Sequence, residues 1–187
     1  MSRFLILFFL VFGFSFNQVF ALIEVDITRG NLNPLPIAVS PLSIDEDSRK
    51  NFEKILKKKD LGSEISSIVE QNLKKSGLFN PLNKDAFLQA PDIANLKPRF
   101  EDWNLIKSQA LITGKVTYQE EKLRVEFRLW DVLAAKEMMA LAFTTVPTNW
   151  RRVGHIITDK VYERLTGEKG YFDTRIIYVS EEGPKTR

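Results

Sequence analysis

The chain has 187 residues, with 27 Lys and Arg against 24 Asp and Glu, one His and no Cys. Without cysteine there is no disulfide, thiolate metal site or catalytic thiol, and a single imidazole excludes a multi-histidine metal centre. The formal net charge of +3 is too small to indicate a surface for nucleic acid. Any Ser–His–Asp device would have to use His155.

The first 21 residues have the pattern of a secretory signal peptide. Arg3 supplies a positive charge, an apolar run follows over residues 4–16, and Val19 and Ala21 occupy the −3 and −1 positions that a signal peptidase reads. The apolar run rises only about 20 Å as a helix, too short for the roughly 30 Å hydrocarbon core of a membrane. We therefore predict export to the periplasm, cleavage after Ala21, and no direct membrane insertion afterwards.

Two short strands are predicted at the start of the mature chain. Residues 23–27 alternate apolar and acidic side chains, the period of a half-buried or edge strand. Residues 35–42 are apolar, with Pro36 and Pro41 near their ends, where a strand tolerates proline. The polar stretch 43–60 then carries one short helical face, formed by Phe52, Ile55 and Leu56.

Three consecutive lysines follow this short helix, at positions 57, 58 and 59. The run has two interpretations, a phosphate- or membrane-binding patch and a solvated helix end. The second is favoured, because cations near a helix C-terminus interact well with the helix dipole.

Two longer amphipathic helices are predicted. The first can be capped by Asp60 or Ser63 and can end at Gly77 in the left-handed conformation. The second spans about residues 149–165, and Gly167 follows it as a stop. Their apolar stripes are Ile65, Ile68, Val69 and Leu73 in the first helix and Trp150, Val153, Ile157, Val161 and Leu165 in the second.

The remaining segments read as strands and loops. A short strand is predicted at 78–82 and a loop over 83–98, and a new ordered stretch begins at Phe100 and Trp103. Further strands are predicted at 110–118, 123–131, 138–146 and 176–179. Together with the helices, this order predicts an α/β fold in which a mixed β-sheet is covered by two main helices.

His155 and Asp159 are the one candidate catalytic pair. They lie four residues apart on the second long helix, so a hydrogen bond between them is available. Catalysis would also need a nucleophile, and the chain has no Gly-x-Ser-x-Gly turn. A structural role is favoured, and an exported hydrolase that uses this pair remains the alternative function.

No metal or cofactor site is predicted. The acidic cluster at 45–47 lacks the spacing of a calcium loop, the one at 181–182 lies in a polar tail, and no Gly-Lys-Ser/Thr loop follows a strand. Three tryptophans with nearby arginines could form a stacking surface for single-stranded nucleic acid. Because Trp150 belongs to a helix core stripe, we predict no nucleic-acid partner.

Several segments together resemble the periplasmic TolB family of the Tol–Pal envelope system. The most specific are Ser-Gly-Leu-Phe-Asn-Pro-Leu at 76–82 and the stretch from Leu-Thr-Gly to Thr-Arg-Ile at 165–176. With the signal peptide, the similar segments span nearly the whole chain in the family's order. They are residues 61–65, 73–82, 110–118, 123–131, 154–167 and 170–179.

The resemblance implies an α/β domain, similar in fold to anticodon-binding domains, that precedes a six-bladed β-propeller. It also implies a non-enzymatic role in outer-membrane integrity and in the invagination of that membrane at cell division. The expected organisation is a signal peptide at 1–21, the α/β domain at 22–170, and the start of a connection at 171–187 to a propeller that this chain lacks. Pal, which the family's propeller binds, is expected as a partner only if a propeller is supplied.

The resemblance further implies a binding segment for the C-terminal domain of TolA at the mature N-terminus. An alternating strand at a free terminus can add to the edge of a partner's sheet through backbone hydrogen bonds. An ordinary edge strand docked on its own sheet is equally compatible with the pattern. The segment consists of Leu22, Ile23, Glu24, Val25, Asp26, Ile27 and Thr28.

Overall fold

The structure is a computed structural model, and it describes residue 23 and residues 33–174. The signal peptide, residues 22 and 24–28 of the binding segment, and the strand at 176–179 were all predicted in parts of the chain outside these residues. The strands are β1 (Leu35–Val39), β2 (Ser43–Ile44), β3 (Phe79–Pro81), β4 (Ala110–Gln119), β5 (Lys122–Asp131) and β6 (Lys136–Thr145). The helices are α1 (Glu46–Leu56), α2 (Leu61–Lys75), α3 (Pro91–Leu96), α4 (Phe100–Leu105) and α5 (Trp150–Thr166), with 3₁₀ turns at Lys84–Ala86 and Pro147–Asn149.

The strands form one mixed sheet in the order β3-β1-β4-β5-β6, and β2 pairs with β4. The pairs β1–β3, β1–β4 and β2–β4 are parallel, whereas β4, β5 and β6 form an antiparallel meander. Glu120 and Glu121 join β4 to β5 with φ values of 50° and 60°, the positive values that suit the twist of a two-residue hairpin. The predicted mixed sheet is therefore confirmed.

One face of the sheet is covered by α1, α2 and α5. In β5 the alternation predicted from sequence is realised: Leu123, Val125, Phe127 and Leu129 are buried, and the arginines and glutamate between them are half-buried. The predicted stripes of α2 and α5 pack into the same core. Gly154 of α5 allows this close approach, because a Cβ atom there would lie 2.9 Å from Ile68 Cγ2 of α2.

The ends of the helices follow the predicted chemistry. The Asp60 carboxylate caps α2, accepting from Ser63 N at 3.1 Å and from Ser63 Oγ at 2.6 Å. Gly77 and Gly167 both have φ of 75°, the left-handed value expected after a helix. The predicted short helical face lies on α1, although one of its residues, Ile55, is 45% exposed.

The predicted loop over 83–98 is wrong, because this stretch contains a 3₁₀ turn and α3. With α4, these elements cover part of the second face of the sheet around a separate small core. A six-residue helix such as α3 gives too few turns for a hydrophobic period, and only Pro91 at its first turn marked it. The small core consists of Ala38, Ala94, Trp103, Leu111 and Val132.

Candidate functional site

The described part of the N-terminal segment is attached at a buried carboxylate. Asp131 ends β5 and is 1% exposed. Its Oδ1 accepts from Ala134 N at 2.8 Å, and its Oδ2 accepts from Ile23 N at 3.3 Å. A carboxylate removed from water is costly unless hydrogen-bond donors replace the lost water, so both N–H groups contribute to keeping Asp131 buried.

The Ile23 side chain adds an apolar contact to this attachment. It is partly buried and packs against the main core cluster. Because Ala110 pairs with both Ile37 of β1 and Asp131 of β5, the attachment lies at the sheet end where β1 and β4 begin. Ile23 is thus held at one end of the sheet through its backbone N–H and its side chain.

Of the seven residues predicted to bind TolA, the structure describes Ile23 alone. The other six lie outside the described residues, so the binding segment stays a prediction. Asp131 was recognised from sequence only as the end of a strand. The signal that could have identified it is an acidic residue at the apolar position of an alternating strand, where Leu123 to Leu129 predict a buried side chain.

The candidate catalytic pair is not joined by a hydrogen bond, since each residue has another partner. Nδ1 of His155 lies 2.8 Å from Asn72 Nδ2 of α2, and that amide also donates to Thr158 Oγ1 at 3.2 Å. The Asp159 carboxylate accepts from the backbone N–H groups of the following chain, at 2.7 and 3.0 Å. His155 therefore links α5 to α2, while Asp159 holds a different segment, and the hydrolase alternative gains no support.

The segment held by Asp159 is the stretch after α5, which folds back along that helix. Asp159 bonds Phe172 N and Asp173 N, and Gly170 passes so close that a Cβ atom there would lie 2.4 Å from Asp159 Cα. Arg152 binds the Asp173 carboxylate with Nε at 3.1 Å and Nη2 at 3.0 Å. The hydrogen bond from Asp173, aided by its charge, raises the pKa of Arg152. These contacts hold residues 170–173 against α5.

The tryptophans do not form a shared stacking surface. Trp103 and Trp130 donate their indole N–H groups to Gln89 Oε1 at 2.7 Å and to Thr113 Oγ1 at 2.9 Å. Trp150 lies at the start of α5 against the main core. Trp103 belongs to the small core and Trp130 packs against it, whereas Trp150 belongs to the main core. The arrangement therefore gives no support to binding of single-stranded nucleic acid.

Within residue 23 and residues 33–174, no group of three or more His, Asp or Glu side chains is arranged to hold a metal ion. In the same part of the chain, no helix has both the length and the apolar character that crossing a membrane requires.

The described strands and helices define a mixed-sheet α/β domain. The family model described as "TolB amino-terminal domain" matches residues 23–138. The chain therefore belongs to the TolB amino-terminal domain family, as the sequence resemblance implied. The fold class predicted for this chain, a mixed sheet covered by two main helices, is confirmed.

Two relatives show what the chain is similar to. It is 84% identical over 170 residues to a "Tol-Pal system protein TolB" of Pelagibacter ubique (strain HTCC1062). The match covers 91% of this chain and 38% of that relative, so the chain spans well under half of the relative's length. The crystal structure of TolB from Acinetobacter baumannii matches 81% of this chain and 33% of its own, with a TM-score of 0.60 and 21% identity, which supports the fold.

Proposed function

We propose that this chain is a periplasmic adaptor domain of the Tol–Pal system that binds the C-terminal domain of TolA through residues 22–28. Membership of the TolB amino-terminal domain family and the 84% identical relative support a Tol–Pal role. The observation that carries the choice of segment is the attachment of Ile23 N to the buried Asp131 carboxylate. It ties the start of the mature segment to the domain by a contact small enough to be exchanged for a partner.

The energy of this attachment suits a segment that is docked at one time and released at another. A hydrogen bond to a charged group contributes about 1.5–3 kcal/mol, and the 3.3 Å distance from Ile23 N to Oδ2 places this one at the lower end. A free-energy difference of that size between the docked and released states leaves a minor population with the segment released. A partner that binds only the released state shifts the equilibrium towards it. Strand addition by the alternating residues 23–27 then supplies the backbone hydrogen bonds to TolA.

The other parts of the proposal follow the same family role. The signal peptide at 1–21 directs export to the periplasm, residues 22–170 form the α/β domain, and residues 171–187 begin a connection towards a propeller. Binding of TolA supports outer-membrane integrity, the invagination of that membrane during cell division, and protein transport. Pal becomes a partner when a propeller is supplied. The domain acts without catalysis, metal or cofactor.

The test is a calorimetric titration of the mature chain with the purified C-terminal domain of TolA. Two variants are compared with it: one lacks residues 22–28, and one carries the same seven residues in shuffled order, so that length and charge are kept. We expect both to lose TolA binding while their thermal unfolding remains cooperative. If the shortened domain binds TolA as tightly as the mature chain, the assignment of the segment is wrong.

A further inference from the structure

A basic corner of the domain is built from two elements that are distant in sequence. Lys57, Lys58 and Lys59 follow α1, and α5 brings Arg151 next to them. The Trp150 ring is in cation–π contact with both groups, with Arg151 Cζ at 4.7 Å and Lys58 Nζ at 5.5 Å from its centroid. We call these five residues the Trp150 patch.

The backbone and the aromatic ring give this corner a defined shape. Lys57 has φ of 57° and ψ of 33° and closes α1 in the left-handed conformation, its N–H donating to Glu53 O at 3.0 Å. The chain therefore turns sharply at the first lysine and presents the next two at the α1–α2 loop. Cation–π contacts with Trp150 orient Lys58 and Arg151. The cations thus converge on one corner rather than spreading along a helix.

The positive charge of this corner is only partly neutralised. Lys58 pairs with Glu64 at 2.7 Å, and the Asp60 carboxylate is occupied as the cap of α2. Among the ion pairs formed within residues 33–174, none involves Lys57, Lys59 or Arg151. Within the described residues, the three lysines and Arg151 therefore outnumber the neighbouring carboxylates of Asp60 and Glu64 and leave a local excess of positive charge.

The corner also offers a concave surface, and neighbouring elements carry two exposed aliphatic side chains. The three lysines line an open groove of about 470 Å³, together with Asp60, Ser63, Glu64 and Ser67. Ile55, on the last turn of α1, is 45% exposed. Val146 is 53% exposed and precedes the 3₁₀ turn that packs against α1. Cations beside exposed aliphatic side chains are typical of surfaces that rest on a lipid headgroup layer.

We propose that the Trp150 patch binds anionic phospholipid headgroups, so that the domain rests peripherally on a membrane surface. Lysine ammonium groups are compact point charges that suit the many oxygens of mobile phosphates, whereas fixed carboxylates of a protein partner favour the planar fork of arginine. The patch contains three lysines and one arginine, which favours the lipid. This contact is independent of TolA binding and uses residues far in sequence from the N-terminal segment.

The size of the effect follows from the number of charges. Each basic residue near an anionic lipid surface changes partitioning about fivefold. Replacing Lys57, Lys59 and Arg151 with Gln is therefore expected to reduce vesicle binding about 100-fold. Because the interaction is electrostatic and the side chains are exposed, binding should also weaken steeply as salt is added.

The experiment is co-sedimentation of the mature chain with vesicles. The chain is recovered from the periplasm, with its start at residue 22 checked by mass spectrometry, because an uncleaved apolar leader would itself bind lipid. Its core clusters use residue 23 and later residues, so the mature chain keeps the fold. One set of vesicles contains phosphatidylglycerol with phosphatidylethanolamine, and the other contains phosphatidylcholine alone. Poly-glutamate is tested in parallel as a probe for an acidic protein partner.

The control variant carries Lys74→Gln, Lys75→Gln and Lys97→Gln, which removes the same charge from exposed positions elsewhere. The proposal expects binding to phosphatidylglycerol vesicles only, lost in the patch variant and kept in the control, with both variants melting close to the parent chain. Equal losses in the two variants would show that overall charge alone governs binding and would overturn the proposal. Absence of vesicle binding, or binding to poly-glutamate without vesicle binding, would overturn it as well.

Discussion

Replacing Asp131 with Asn tests the attachment of the N-terminal segment with a nearly isosteric change. The carboxylate accepts Ala134 N–H at 2.8 Å and Ile23 N–H at 3.3 Å, and it is 1% exposed. An amide has a single acceptor oxygen, so one of the two backbone donors must face an NH₂ group. Removing the acceptor of a buried donor costs about 1–3 kcal/mol, and the loss of charge weakens the other bond. We expect Asp131→Asn to lower the free energy of unfolding by about 2–4 kcal/mol.

The part of this loss that belongs to Ile23 is separated by a double-mutant cycle with deletion of residues 22–28. Unfolding in urea is measured for the mature chain, each single variant and the double variant. The hydrogen bond from Ile23 N predicts a coupling energy of about 1–2 kcal/mol. Amide exchange at Ile23 should quicken in Asp131→Asn, and TolA should bind about tenfold more tightly if 1.4 kcal/mol of release energy is removed.

The control for this cycle is Asp102→Asn, an acidic residue on α4 whose ion pair with Arg99 is exposed and of small value. It should show no coupling with the deletion. A coupling energy near zero for Asp131, with unchanged exchange at Ile23, would refute the idea that this carboxylate holds the segment.

Three further changes probe other parts of the structure. Gly154→Ala places a Cβ atom 2.9 Å from Ile68 Cγ2 and should cost about 1–3 kcal/mol in thermal unfolding, whereas a neutral result would mean that α2 and α5 separate freely. Gly170→Ala brings a Cβ atom to 2.4 Å from Asp159 Cα, so hydrogen exchange of the Phe172 amide should accelerate. Unchanged protection of that amide would contradict the hydrogen bond from Phe172 N to Asp159. For Asp45, burial raises the pKa, but hydrogen bonds from Ser48 and the Lys115 charge together bring it below its usual value of 3.8. The ionised Asp45 carboxylate therefore stabilises the fold above pH 3.8, and this contribution is lost as the pH falls through the lower folded-state pKa. The difference in stability between the parent chain and Asp45→Asn should vanish in that acidic range. A difference that persists there would contradict a lowered pKa for Asp45.

The main elements of the fold were predictable because their side chains repeat. The β5 alternation and the stripes of α2 and α5 each extend over at least two turns or four strand positions, enough for burial to appear as a period. The prediction of a loop over 83–98 is wrong because the helix there has six residues and is stabilised by few buried side chains, such as Ala94. Packing against the second face of the sheet, rather than local pattern, makes that segment helical.

The candidate site was less predictable for a related reason. The resemblance pointed to residues 22–28, but the carboxylate that accepts from Ile23 N belongs to Asp131, which is 108 positions away in the chain. No local period links two such residues. The pair His155 and Asp159 shows the opposite case, in which a spacing of four suggested a contact while each side chain found a partner on another element.

By itself, the sequence indicated the family through the resemblance of its segments. It also determined the class of fold and the helix ends, because these follow from short-range periods, capping groups and glycines at left-handed positions. The tertiary structure decided which side chains meet across the chain. It joined Ile23 to Asp131 at the end of the sheet and gave His155 and Asp159 different hydrogen-bond partners. It also brought Arg151 and Lys58, from the lysine run that the sequence favoured as a solvated helix end, onto the same Trp150 ring. The physical reason is that hydrogen bonds and charge clusters depend on distance in space, and only packing of the sheet against its helices sets that distance.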